Sequence, residues 1–145
     1  MEQTIIKNIR AFNRYYTNLI GVLAQGYLKT HYTLTEARIL FEISPIGKID
    51  TSEIIASLLI DKSYLSRVLK KFEKNKLITK SKSEKDSRAW EISLTEEGII
   101  ELNLLNTLAD KQLEDLLKDL SSTDIKQLSL HMNSIIDILG TKIAG

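Results

Sequence analysis

At 145 residues and 43% hydrophobic composition the chain can bury one core but hardly two, and its lack of cysteine excludes disulfides, thiolate metal sites and thiol redox sensing. No secretory leader pattern and no run near the ~18 apolar residues of a membrane span occurs, so a cytoplasmic protein without a membrane partner is expected. The net charge of +1 is segregated: residues 61–90 carry ten Lys/Arg against four acids and residues 91–145 four lysines against ten acids, so the first stretch suits a polyanion and the second repels one.

One proline and six glycines punctuate the chain, which favours a mainly helical protein with short connections. A first helix is expected from about Glu2 to Leu28, where Ile5, Ile9, Phe12, Tyr16, Leu19 and Leu23 recur at alternating steps of four and three, a heptad seam. Thr33 with Glu36 is a capping-box signal opening a second helix, with Leu34, Ala37, Leu40 and Phe41 on its apolar face and Ser44, Pro45 and Gly47 at its end. Asp50 with Glu53 opens a short third helix with Ile54, Ile55, Leu58 and Leu59 inward, stopping near Ile60. Asp61 caps the next, in which Leu65, Val68, Leu69 and Phe72 form a buried stripe, and Asn75 is expected to end it in the left-handed conformation.

At Leu77 the period changes. Leu77 to Ser81 and Ala89 to Leu94 read as two strands around a charged turn, Lys82 to Arg88. Thr95 then caps a long helix through Ile99, Leu102 and Leu105, and Ser121 with Asp124 starts a last one. There Ile125, Leu128, Met132, Ile135 and Leu139 repeat the four-and-three spacing, a second seam too apolar to stay wet.

A helix pair with a short turn followed by a hairpin is the order of a winged helix-turn-helix. The fold class expected is mainly α with a small β-hairpin wing, flanked by N- and C-terminal dimerisation helices. The chain is read as one domain, 1–145, with 33–98 the winged part and 1–30 and 100–145 the dimerisation helices. On the second helix of the pair the buried stripe forces Ser63, Tyr64, Ser66, Arg67, Lys70, Lys71 and Lys74 outward. Arg67, with a fork that matches guanine O6 and N7, is the expected base reader, and the lysines suit phosphates. Thr51 and Ser52 offer hydroxyl and backbone donors to a phosphate. In the hairpin, Lys82 and Lys85 add charge, and Asp86 is expected to hold the Arg88 guanidinium extended toward a minor groove.

Catalytic chemistry finds no support. His31 and His131 stand a hundred residues apart, there is no metal-ligand spacing, no phosphate-binding glycine loop and no nucleophile elbow, so no catalytic residue, metal or cofactor is expected. The alternative is a helical protein-interaction module built on the two seams, without sequence-specific DNA binding; it leaves the basic hairpin unexplained.

The chain resembles the MarR family of bacterial regulators in Leu34 to Arg38, Asp61 to Arg67 with Phe72 to Lys74, Leu77-Ile78, Asp86 to Arg88 and Leu94 to Gly98. Phe12 to Tyr16, through Thr35 to Arg38, is especially similar to the regulator half of MarR proteins fused to GNAT acetyltransferases, the acetyltransferase part not being expected here. The resemblance implies a homodimeric transcriptional regulator, a repressor on a pseudo-palindromic operator in double-stranded DNA. Ser63, Ser66 and Arg67 would be its helix contacts and Arg88 its wing contact. It also implies a small aromatic or anionic effector, for which Arg14, Tyr15, Tyr16, Tyr27 and His31 are the candidates. Two positions depart from the family pattern: Lys76 stands where glycine is usual, so the helix exit falls to Asn75 or to a strained Lys76, and Ser87 replaces the first arginine of the wing's Asp-Arg-Arg.

Overall fold

The computed structural model describes residues 1–25, 30–43 and 45–143, without the side chains of 141–143. The described elements run α1 (Gln3–Ala24), α2 (Leu34–Glu42), β1 (Ile49–Asp50), α3 (Thr51–Leu58), α4 (Lys62–Lys74), β2 (Ile78–Lys82), β3 (Trp90–Leu94), α5 (Glu96–Leu117) and α6 (Ser122–Ile143). None of these helices is long and apolar enough to cross a membrane. The chain divides into two compact units, Met1–Arg38 and Ile39–Gly145.

In the first unit α1 stops at Ala24, short of the expected end at Leu28, which lies outside the described residues. The first four residues of its seam are in water and Leu19 and Leu23 are half-buried: Ile5 is 48% and Ile9 54% exposed, and Phe12 and Tyr16 stack with ring centroids 5.5 Å apart. α1 buries no residue of its own. The Thr33 box is formed, with Thr33 Oγ1 accepting from the Glu36 N–H at 3.1 Å and the Glu36 carboxylate accepting from the Thr33 N–H at 3.3 Å.

The second unit holds the core. Ile39, Leu40 and Ile43 close α2 and are buried with Ile54 of α3, the α4 stripe, Ile78, Ile92 and the α5 residues Leu102 and Leu105. Ile39 and Ile43 were missed by the sequence pattern, whereas Phe41, assigned to the apolar face, is only half-buried. All four α4 residues assigned to the stripe are buried, Phe72 completely.

The hairpin is part of a three-stranded antiparallel sheet in the order β1-β3-β2. Its outer strand, β1, was not foreseen. It is only two residues long, pairing Ile49 with Ile92 and Asp50 with Glu91, too short to leave a period-two signal.

Three helix termini decide how the parts meet. Asp50 caps α3 as expected, its carboxylate accepting from the Ser52 N–H at 3.0 Å, while the Glu53 carboxylate accepts from the Asp50 N–H at 3.4 Å. At the other end Leu59 adopts φ 54°, which swings its side chain off the helix face to 63% exposure, contrary to its expected inward place. At the exit of α4, of the two residues expected to handle it, Asn75 keeps φ −84° and Lys76 takes the left-handed turn at φ 62°. Without a Cβ-free residue there, the reversal costs about 1–2 kcal/mol that the surroundings must offset. They do so by a knot onto α5. The Thr95 hydroxyl donates to the Lys76 carbonyl, the Thr95 N–H donates to the Leu77 carbonyl at 3.0 Å, and Thr95 Oγ1 caps α5 through the Gly98 N–H at 3.0 Å.

Candidate nucleic-acid interface

The buried stripe of α4 leaves the opposite side of the helix in water. Ser63, Ser66, Arg67, Lys70, Lys71 and Lys74 are exposed and Tyr64 is half-buried. At about 100° per residue, Ser63, Arg67, Lys70 and Lys74 fall within an arc of about 60° and extend over about 16 Å of helix. Ser66 flanks this strip on one side, Tyr64 and Lys71 on the other. The Arg67 guanidinium lies 5.5 Å from the centroid of the Tyr64 ring, which restrains a long side chain at an exposed site.

Beside the helix, α3, α4 and the hairpin enclose a hollow of about 220 Å³. Thr51, Ser66, Lys70 and Arg88 line it together with Lys62, Lys80 and Trp90. Four cations therefore converge on one concave surface. Lys80 sits with its Nζ 5.0 Å from the Trp90 ring centroid and 3.8 Å from the Glu73 carboxylate. Lys62, Lys80 and Trp90 were not among the sequence-derived site residues. Period-two alternation held the signal, since the register sets Lys80 opposite Ile92 and Lys82 opposite Trp90 on one face of the hairpin.

The part of the chain that carries these features, residues 32–90, matches the family model described as MarR family. Over that stretch the chain is similar to the MarR family. It is 31% identical over 90 residues to the HTH-type transcriptional regulator SarZ of Staphylococcus haemolyticus, a match spanning 61% of this chain and 61% of SarZ. With the HTH-type transcriptional regulator MgrA of Staphylococcus aureus it shares 28% over 127 residues, 88% of this chain and 81% of the relative. In fold it is similar to a MarR family protein from Bacillus stearothermophilus, at a TM-score of 0.80 and 16% identity over 97% of this chain and 99% of that one. It is likewise similar to apo MarR from E. coli, at 0.75 and 18% over 88% and 94%. The fold is thus the winged helix of MarR proteins.

Against that fold the remaining site residues sort themselves. Thr51 and Ser52 stand at the first turn of α3, but both donors of Ser52, its N–H and its hydroxyl, go to Asp50 at 3.0 and 2.9 Å. Thr51 Oγ1 accepts from the Trp90 N–H at 3.1 Å, tying α3 to the hairpin. Lys82, Lys85, Asp86 and Arg88 are all exposed at the wing. The expected grip of Asp86 on the Arg88 guanidinium is replaced by a main-chain bond, the Asp86 carboxylate accepting from the Arg88 N–H at 2.9 Å. With one residue between them the pair closes an Asx turn, which holds the backbone of Arg88 and leaves its side chain to project.

The effector candidates are not gathered. Arg14 lines a surface hollow with Lys7 and Arg10, while Tyr16, two residues on, points about 200° away and stacks on Phe12. Tyr15 is 68% exposed, His31 is exposed, and Tyr27 lies outside the described residues.

Proposed function

We propose that this chain is a sequence-specific DNA-binding transcriptional regulator that acts as a homodimeric repressor on a pseudo-palindromic operator. One observation carries the reading: a helix anchored by its buried stripe presents Arg67, Lys70 and Lys74 along one exposed strip, and the wing sets Arg88 on the same hollow as Ser66 and Lys70. Arg67 reads a base edge in the major groove, the lysines neutralise phosphates and Arg88 enters the adjoining minor groove. Similarity to relatives named HTH-type transcriptional regulators supports the same reading.

Dimerisation is supported by the apolar stripes. On α6, Ile135 is 37% and Leu139 47% exposed, and on α1 Ile5, Ile9, Phe12 and Tyr16 are as bare; a second copy covers them, with residues 1–30 and 100–145 at the dimer interface and 33–98 on DNA. Two-fold pairing sets the reading helices on the order of 34 Å apart, one turn of DNA. Release by a small aromatic or anionic effector is supported by the exposure of Arg14 and Tyr15; Tyr16 belongs to the seam instead. The test is selection of bound fragments from a genomic or random duplex pool at physiological salt. Recovery of an inverted repeat with half-sites about one turn apart is expected, and recovery of unrelated sequences refutes specific binding.

A further inference from the structure

We propose that Asp50 and Ser83 form a brace that sets the tip of the wing, and with it Arg88, on the N-terminus of α3; the proposal rests on the reading of Arg88 as a DNA contact. Ser83 is one of two buried polar residues among the described residues, at 6% exposure, although it begins the charged turn. Its hydroxyl donates to Asp50 Oδ2 at 2.7 Å, across 33 residues of chain. With its proton directed there, Ser83 Oγ accepts from the N–H groups of Lys85 and Asp86, at 3.2 and 3.3 Å. The hydroxyl's one donor and two acceptor sites are all used. Asp86 then closes its turn onto the Arg88 N–H.

The other carboxylate oxygen, Asp50 Oδ1, holds Ser52 at the start of α3, and the backbone of Asp50 pairs with Glu91 of β3. One side chain thus joins the cap of α3 to the loop that carries Arg88. The direction of the bonds requires an anion. An amide at position 50 would present one acceptor and one donor, so either the cap or the Ser83 hydroxyl would lose its acceptor, and in the second case Ser83 would give up a lone pair now used by the wing. Asp50 and Ser83 are positioning residues in this scheme. They act on DNA through Arg88.

The test uses the full chain. In the free protein, amide exchange at Lys85 and Asp86 should quicken by about tenfold in Ser83→Ala and stay near the wild-type rate in Ser83→Thr, with α4 amides unchanged. On a duplex selected by the wild-type protein, Arg88→Ala should bind about tenfold more weakly and Ser83→Ala about threefold. The double variant should bind no more weakly than Arg88→Ala alone, because Ser83 has nothing left to place. Unchanged exchange in Ser83→Ala, or losses that multiply in the double variant, overturns the brace. A neutral Arg88→Ala overturns the wing contact itself, and the brace's role in binding falls with it; this outcome is told apart by Arg88→Ala alone. Should Ser83→Ala fail to fold, Asp50→Asn carries the same comparison, with the same amides as its readout.

Discussion

Replacing Gly98 by alanine probes the joint at which the reading helix leaves the core. A Cβ at position 98 would lie 2.0 Å from the Leu77 carbonyl oxygen and 3.0 Å from its carbon. An ordinary carbon–oxygen contact is about 3.3 Å, so the start of α5 and the entry to β2 must part by more than about 1 Å. That movement stretches the Thr95 N–H bond to the same carbonyl and disturbs the Thr95 cap on the Gly98 N–H. Overpacking against backbone costs about 1–3 kcal/mol and a weakened cap about 1 kcal/mol, against a gain of about 1 kcal/mol from the better helix former. A net loss of about 1–3 kcal/mol should lower the melting temperature by about 3–10 °C at fixed protein concentration. Thermal unfolding followed by circular dichroism reads it directly. A variant that melts within about 2 °C of wild type would show that the approach of Leu77 does not constrain this joint.

The opposite sign is expected at the residue before Leu77. Lys76→Gly removes the left-handed penalty at φ 62° and should stabilise by about 0.5–1 kcal/mol, less than the full penalty because glycine also loosens the unfolded chain; a destabilised variant contradicts the account. In operator binding, Arg67→Ala should lose about 1–3 kcal/mol on the selected site and little on random duplex, whereas Lys74→Ala should weaken both and flatten the salt dependence by about one counterion per protomer. Identical losses on both duplexes for both variants refute the division of roles. The Asp50 carboxyl is held below its ordinary range, first by the Ser52 N–H and then by the Ser83 hydroxyl. Its contribution to stability is therefore full above about pH 4 and lost as pH falls through the lowered value, so the stability gap between wild type and Asp50→Asn should close on acidification. A gap constant down to pH 2 would count against the carboxylate. Leu128→Glu with Ile135→Glu places charges on the α6 stripe and should give monomers that bind the operator poorly at physiological salt, as sedimentation and titration together will show; a folded monomer with wild-type affinity removes dimerisation from the mechanism.

What the sequence made legible were the features with short-range chemical signatures. The α4 stripe of Leu65, Val68, Leu69 and Phe72, the caps at Thr33, Asp50, Asp61, Thr95 and Ser121, and the hairpin each follow from spacing within about eight residues. The illegible parts depend on contacts between distant segments. β1 exists because Ile49 and Asp50 meet Ile92 and Glu91, and the Asp50–Ser83 bond spans 33 residues; neither leaves a periodic trace. Asn75 was the better left-handed candidate on propensity alone, yet Lys76 takes that geometry, where its carbonyl accepts from the Thr95 hydroxyl. Leu59 was misplaced for the same reason: its positive φ belongs to the junction between α3 and α4 and not to the helical period.

The arrangement separates what holds the reading helix from what reads. Asp61, the buried stripe and the Lys76–Thr95 knot fix α4, and none of them lies on the strip of Ser63, Arg67, Lys70 and Lys74. Exposed positions of that kind change stability by only about 0.5 kcal/mol when substituted, so they are free to vary with the DNA sequence they meet. The wing lacks this independence. Arg88 sits on a loop whose backbone is held by Ser83 and Asp86, and Ser83 is in turn held by the residue that caps α3. Changes at Asp50 or Ser83 should therefore move stability and binding together, whereas changes on the α4 strip should move binding alone. Plotting melting temperature against operator affinity for single variants at positions 50, 83, 67, 70 and 74 tests this separation. A single correlated line through all five positions would refute it, since it would mean that the strip also supports the fold.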